Sequence, residues 1–159
     1  QPGRVSHLAM VGTAFPMKVS PALLDMSLHQ PFKAIDLVNQ FSHSMLAPPP
    51  SAMGPGTWLY GTARALMRRV LASNPAVNVF HRGFQACDSY TQGLSAMAQV
   101  RCPVLFVLGQ DDQMTPPKAA QSLISAATDG RVLTVKAGHQ LMLEAPDTVA
   151  LGLAAFLTA

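Results

Sequence analysis

"VLFVLGQDDQMTPP", residues 104–117, sets the architecture of the chain. Val104 to Leu108 run apolar without polar alternation, the pattern of a strand covered on both faces. Pro103 stands just before the run, where a missing N–H costs a sheet least. Gly109 then ends the strand, and two adjacent carboxylates, Asp111 and Asp112, follow. In an open parallel sheet, functional groups gather just beyond the C-terminal ends of strands. The two carboxylates stand at such an end, and a side chain they could serve is expected at a neighbouring one.

Downstream, "TPPKAAQSLISAATDG" (115–130) reads as a helix with Thr115 as N-cap, Pro116 in its first turn and Asp129-Gly130 as the turn back. "RVLTVKAG" (131–138) is a further strand, and His139 follows it directly. Strand, helix, strand in this order calls for a right-handed crossover in a parallel sheet. Asp112 and His139 are 27 positions apart, a separation that one helix and one strand fill, so neighbouring strand ends can bring them within hydrogen-bond reach. A carboxylate that accepts the Nδ1–H of an imidazole holds its tautomer and leaves Nε2 free as a general base. "APDTVALGLAAFL" (145–157) predicts a closing helix with Val149, Leu153, Phe156 and Leu157 on one buried face.

Upstream, "RVSHLAMVGTA" (4–14) predicts another core strand over Val5–Val11. From about Phe15 to Val100 no strand is expected. "SPALLDMSLHQ" and "PFKAIDLVNQFSHS" read as two helices, each opened by a proline. "GTWLYGTARALMRRVLAS" (56–73) is a helix with Leu59, Ala63, Leu66, Met67, Val70 and Leu71 on one stripe. "APPPSAMGPG" (47–56) is a loop by composition, and a fourth helix follows Pro75. The expected division is a core strand in 1–14, a helical insert and return helix in 15–99, and an α/β core in 100–159.

Charged residues make up only 12% of the 159 residues and apolar ones 49%, which leaves little material for a fully solvated surface, so some apolar surface should be covered by something else. The net charge of +3 is scattered, with only Arg68 and Arg69 adjoining among the basic residues, and this excludes a nucleic-acid footprint. Cys87 and Cys102 form no CxxC and lie at no metal-ligand spacing from a His, so two buried free thiols in a reducing compartment are expected. No run is long and apolar enough to span a bilayer. With no signal pattern at residue 1 either, a cytoplasmic location is expected. A first residue that is not Met, with a core strand close behind it, leads to the expectation of further chain upstream.

"VLFVLGQDDQMTPP", "VKAGHQLMLEAP" and a last amphipathic helix together resemble the C-terminal part of the α/β-hydrolase superfamily, over roughly residues 100–157. In that family a G-x-x-D-x-x-x-P loop carries the acid and a G-H pair the base, in the order acid then base. The resemblance implies Asp112 as the acid, Asp111 as its solvated neighbour and His139 as the base. It further implies that "PGRVSHLAMVGTA" is the strand after the nucleophile helix and that the helical insert is the cap. No cofactor and no metal is implied. The G-x-S-x-G elbow and its oxyanion donors would lie upstream of the first residue. Within the chain, Gly93 and Ser95 of "GLSAM" make only a partial elbow, because Met97 replaces the second glycine and no strand precedes it; Cys87 is a weaker candidate still.

On that resemblance the leading expectation is the cap and C-terminal core of a serine-type hydrolase of an ester or related acyl bond, inactive as the isolated chain. An aspartate-nucleophile relative of the epoxide hydrolase or haloalkane dehalogenase type stays open. So does a non-catalytic half-protein that associates through its open sheet edge. The expected partners are a small acyl substrate and, at that edge, an N-terminal half or a second copy of the chain; neither nucleic acid nor membrane is expected. His7, His29, His43 and His81 read as structural or surface residues. Met17, Met26, Met45, Met53 and Met67 either line an acyl pocket or pack cap helices on one another. Trp58 and Tyr60 either face substrate or anchor packing.

Overall fold

The computed structural model describes residues 2–44 and 57–159. The loop expected over 47–56, and Met45 and Met53, lie outside the described residues. Among those described, the sheet consists of three parallel strands in the order β1 (Leu8–Val11), β2 (Val104–Gly109), β3 (Gly130–Val135).

All six residues of β2 are buried, as its unbroken apolar run predicts for a central strand. Its side chains alternate between two layers. Val104, Phe106 and Leu108 pack with Met97, Ala120 and Leu123 on one side. Leu105 and Val107 pack with Ala137, Leu141, Val149 and Phe156 on the other. Pairing with β1 begins at Leu8↔Val104, and Leu8 N–H donates to Pro103 O at 3.0 Å. β1 therefore starts at Leu8 and not at Val5: Pro103 has no N–H with which to extend the ladder backwards. Residues Pro2–Arg4 form a 3-10 turn instead.

Between β1 and β2 lie α1 (Pro21–His29), α2 (Pro31–Ser42), α3 (Leu59–Ala72), α4 (Val79–Ser89) and the short α5 (Gly93–Met97). Pro21 and Pro31 open their helices as the sequence predicts, because proline's missing N–H is one the first turn cannot pair anyway. Ser20 and Asn78 cap α1 and α4 through side-chain oxygens that accept Leu23 N–H at 3.2 Å and His81 N–H at 2.9 Å. Buried Ser27 joins α1 to α4: its Oγ lies 2.8 Å from His81 Nδ1, and Asn78 Nδ2 donates to its carbonyl. On α3 the expected apolar stripe is buried only at its start, at Leu59 and Ala63. Leu66 and Val70 are each 49% exposed, although the contact between α2 and α3 extends to Arg68 in the third turn. That contact is fixed by Arg64, whose Nε and Nη2 donate to the Asp36 carboxylate at 2.6 and 2.9 Å.

After β2 the chain makes a 3-10 turn at Pro117–Ala120 before α6 (Gln121–Ala126), so the helix opens later than predicted and Thr115 does not cap it. Past β3 come α7 (Leu141–Glu144) and α8 (Pro146–Leu157). Val149 and Phe156 of α8 are buried and Leu153 packs beside them, but Leu157 is 59% exposed. At about 100° per residue Leu157 lies roughly 80° round the helix from Val149, outside the buried stripe. Cys87 and Cys102 are free, but each is partly exposed rather than buried. No helix among the described residues is long and apolar enough to cross a membrane.

Candidate active site

The C-terminal ends of β2 and β3 are bonded to each other beyond the ladder. Gln110 N–H donates to Val135 O at 2.7 Å and Asp111 N–H to Ala137 O at 3.0 Å. Gly109 permits this approach, because a Cβ there would run into the carbonyls of Ala137 and Gly138. Asp111 projects into solvent, while the Asp112 side chain turns inward and is fully buried.

Asp112 is held from both sides. Its Oδ1 accepts the backbone N–H groups of Met114 and Thr115, both at 2.8 Å. Its Oδ2 lies 2.9 Å from His139 Nδ1 and 2.9 Å from Thr115 Oγ1. An ionised carboxylate only accepts, so Nδ1 carries the ring proton and Nε2 is the nitrogen left to take one up. Thr115 Oγ1 is also 3.0 Å from His139 Nδ1 and donates to Gly12 O at 2.7 Å. Here the hydroxyl expected to cap a helix is used to connect three loops.

Two glycines shape the bed of the imidazole. Gly12, just past β1, has φ +58, a left-handed backbone that glycine adopts freely. A Cβ at this position would press on His139 Cε1 and Nδ1 at 3.3 Å. Gly138 lies against the backbone of His43 and Ser44 at the end of α2. Glu144 clamps the same place: it accepts Gly138 N–H at 3.1 Å, Ser44 N–H at 3.1 Å and the Ser44 hydroxyl. The turn that presents His139 is thereby tied to the segment just past α2, through a contact between residues 100 positions apart, Glu144 and Ser44.

Burial pushes the Asp112 carboxyl up, but the hydrogen bonds from His139 and from the Thr115 N–H and hydroxyl outweigh it and hold the group below the ordinary aspartate range. A depressed folded-state value means that this carboxylate stabilises the fold above the unfolded value, about pH 3.9, and that the contribution is lost as pH falls through the lower folded value. Urea denaturation of wild type and Asp112→Asn at pH 5 and pH 3 checks this. Wild type is expected to lose more stability than the variant over that interval; Asp36, which Arg64 also holds below the ordinary range, is present in both and cancels.

His139, with its side chain 33% exposed, faces a cavity of about 320 Å³ walled by Val11, Met17, Leu23, Phe84 and Met114. Of the methionines considered from sequence and lying within the described residues, Met17 alone lines this cavity. Phe84 and Met114 were not foreseen; Met114 directly precedes Thr115, which bonds Asp112, and that adjacency was the available signal. Cys87 is also in the wall. Ser95 lies in α5, its hydroxyl donating to Gln92 O at 3.0 Å, and does not line the cavity. Trp58 is 60% exposed and stacks on Tyr60, with ring centroids 5.7 Å apart. His43 bonds Asn39 O, His81 pairs with Ser27, and His7 and His29 lie near Ser6 and Asp25, so the structure brings none of the four to the Asp112–His139 pair. A second concavity, walled by Val5, Leu8, Val100 and Cys102, lies at the opposite, N-terminal end of the strands.

Residues 57–146, more than half of the chain, match the family described as serine hydrolase (FSH1). The chain belongs to the FSH1 serine hydrolase family. The matched span of this FSH1-family chain includes both Asp112 and His139. Its fold is that of the α/β hydrolases. It is similar to a solved thermophilic esterase, with 22% identity and a TM-score of 0.76 over 99% of this chain and 57% of that one. It is also similar to an esterase from Exiguobacterium antarcticum, with 13% identity and a TM-score of 0.74 over 98% of this chain and 58% of that one. An enol-lactonase from Burkholderia xenovorans LB400 matches with 18% identity and a TM-score of 0.74, over 98% of this chain and 57% of that one. The chain thus spans just under three fifths of the length of these structures. No curated protein sequence matches it.

Proposed function

We propose that this chain is the acid- and base-bearing part of a serine hydrolase that cleaves an ester or related acyl bond. The observation that carries the reading is the 2.9 Å contact between Asp112 Oδ2 and His139 Nδ1 beside an apolar cavity. Asp112 orients the imidazole and stabilises the cation that forms when Nε2 removes a proton from a serine hydroxyl. The serine then attacks the acyl carbon, and His139 returns the proton to the leaving group. In this reading the serine and the donors to the developing oxyanion come from chain outside these 159 residues. The family description favours a serine over an aspartate nucleophile.

The helices between β1 and β2 act in this reading as the cap, covering the acyl group. A volume of about 320 Å³ is at the small end for ligand cavities, which span roughly 300–1,000 Å³, and favours a small acyl or alkyl group. The polypeptide that supplies the serine pairs along the free side of β1, which has no neighbouring strand among the described residues.

A fluorophosphonate probe, which phosphonylates activated serines, tests the reading. Applied to the 159-residue chain it is expected to label nothing. Applied to the polypeptide recovered from the protein's own cells with an antibody against this chain, it is expected to label one serine outside these residues. Labelling of Ser95 or any other serine within the chain, or of no serine in the recovered material, would sink the proposal.

A further inference from the structure

We infer that Thr115 is a positioning residue for the base: its hydroxyl acts with Asp112 to hold His139 as the Nδ1–H tautomer and ties that pair to the end of β1. The inference rests on the reading of Asp112 and His139 as acid and base. Three groups converge on one oxygen, Gly12 O at 2.7 Å, Asp112 Oδ2 at 2.9 Å and His139 Nδ1 at 3.0 Å. Thr115 is 9% exposed, so water does not readily take the place of any of them.

Proton accounting gives the hydroxyl its role. It has one proton and two lone pairs. The carbonyl of Gly12 and the carboxylate of Asp112 are both acceptors, so they share that one proton. One of the lone pairs faces the Nδ1–H of His139, a second acceptor beside Oδ2. An Nε2–H imidazole would turn an unprotonated Nδ1 toward Oδ2, and a flipped ring would turn Cδ2 toward it; either loses that donor-to-acceptor match. Thr115 also grips the other carboxylate oxygen through its N–H, so acid and base are referred to the same residue. Gly12 completes the link, because its left-handed turn brings its carbonyl to Thr115 while its missing Cβ makes room for the imidazole.

The test reads the tautomer directly, by NMR of the 159-residue chain labelled with 15N-histidine, at a pH where the ring is neutral. His139→Gln assigns the signals. Wild type is expected to show a protonated Nδ1 whose proton is protected from water. Thr115→Val keeps the shape and the backbone N–H but not the hydroxyl. It is expected to speed exchange of that proton by roughly tenfold, the scale of one hydrogen bond to a charged network. Thr115→Ser, which keeps the hydroxyl, is expected to match wild type, a rescue that a role in packing alone would not give. Thr115→Ala carries the same expectation as valine if valine does not fold. Exchange in valine or alanine within about twofold of wild type, less than one hydrogen bond is worth, would overturn the inference, as would serine behaving like valine. If fluorophosphonate finds no serine while the tautomer responds as expected, the catalytic reading falls and the linkage stands; the reverse pair of results removes only the role of Thr115.

Discussion

Replacing His139 by alanine is expected to abolish ester hydrolysis by the proposed complete enzyme, lowering kcat by about four to six orders of magnitude with little change in KM. Nδ1 is committed to Asp112, and no other histidine among the described residues shares that carboxylate, so none of them is placed to take the proton from the proposed serine. Four decades correspond to about 5.4 kcal/mol of transition-state stabilisation. Asp112→Asn is expected to fall almost as far, by about four orders of magnitude, because an amide can donate to Nδ1 and so favours the wrong tautomer. Steady-state kinetics on a short-chain p-nitrophenyl ester checks both. Hydrolysis by the alanine variant within about tenfold of wild type would leave the general-base role of His139 without support.

The second large effect is on stability. Phe106→Ala is expected to destabilise the chain by about 3–5 kcal/mol. Phe106 is fully buried in the centre of the central strand, against Met97, Ala120 and Leu123. Neighbouring strands on both sides keep the backbone from collapsing into the space the ring leaves. Leu157→Ala, also predicted from sequence to lie in the core, is expected to change stability by no more than about 0.5 kcal/mol, since the side chain is mostly in solvent. Urea denaturation should show a lowered midpoint for Phe106→Ala with the slope preserved. Equal losses in the two variants would mean that α8 docks differently from the packing described here.

Asp112 and His139 were legible because each follows a strand at its C-terminal end and because topology brings parallel strand ends together. Thr115 was legible only as a helix cap. Its actual partners include Gly12 O, 103 positions away, and local pattern cannot see a carbonyl that far off. Glu144 is a similar case, because its clamp on Ser44 exists only once α2 lies against the turn after β3. The cavity wall was half legible: Met17 was a candidate, but Phe84 and Met114 enter it because α4 and the loop after β2 meet there. The stripes on α3 and α8 were read too broadly, since periodicity gives the direction of an apolar face but not how much of it a neighbour covers.

What the sequence by itself determined is the set of local preferences. An unbroken apolar run makes β2 a central strand, prolines open α1 and α2, Gly109 and Gly138 mark the turns, and the place of Asp112 one strand end before His139 follows from chain order alone. What only the tertiary structure decided is which distant groups meet. The Thr115 hydroxyl abandons a helix end for a buried carboxylate, a carbonyl and an imidazole, because once packing excludes water each of those groups must find its partner in the protein.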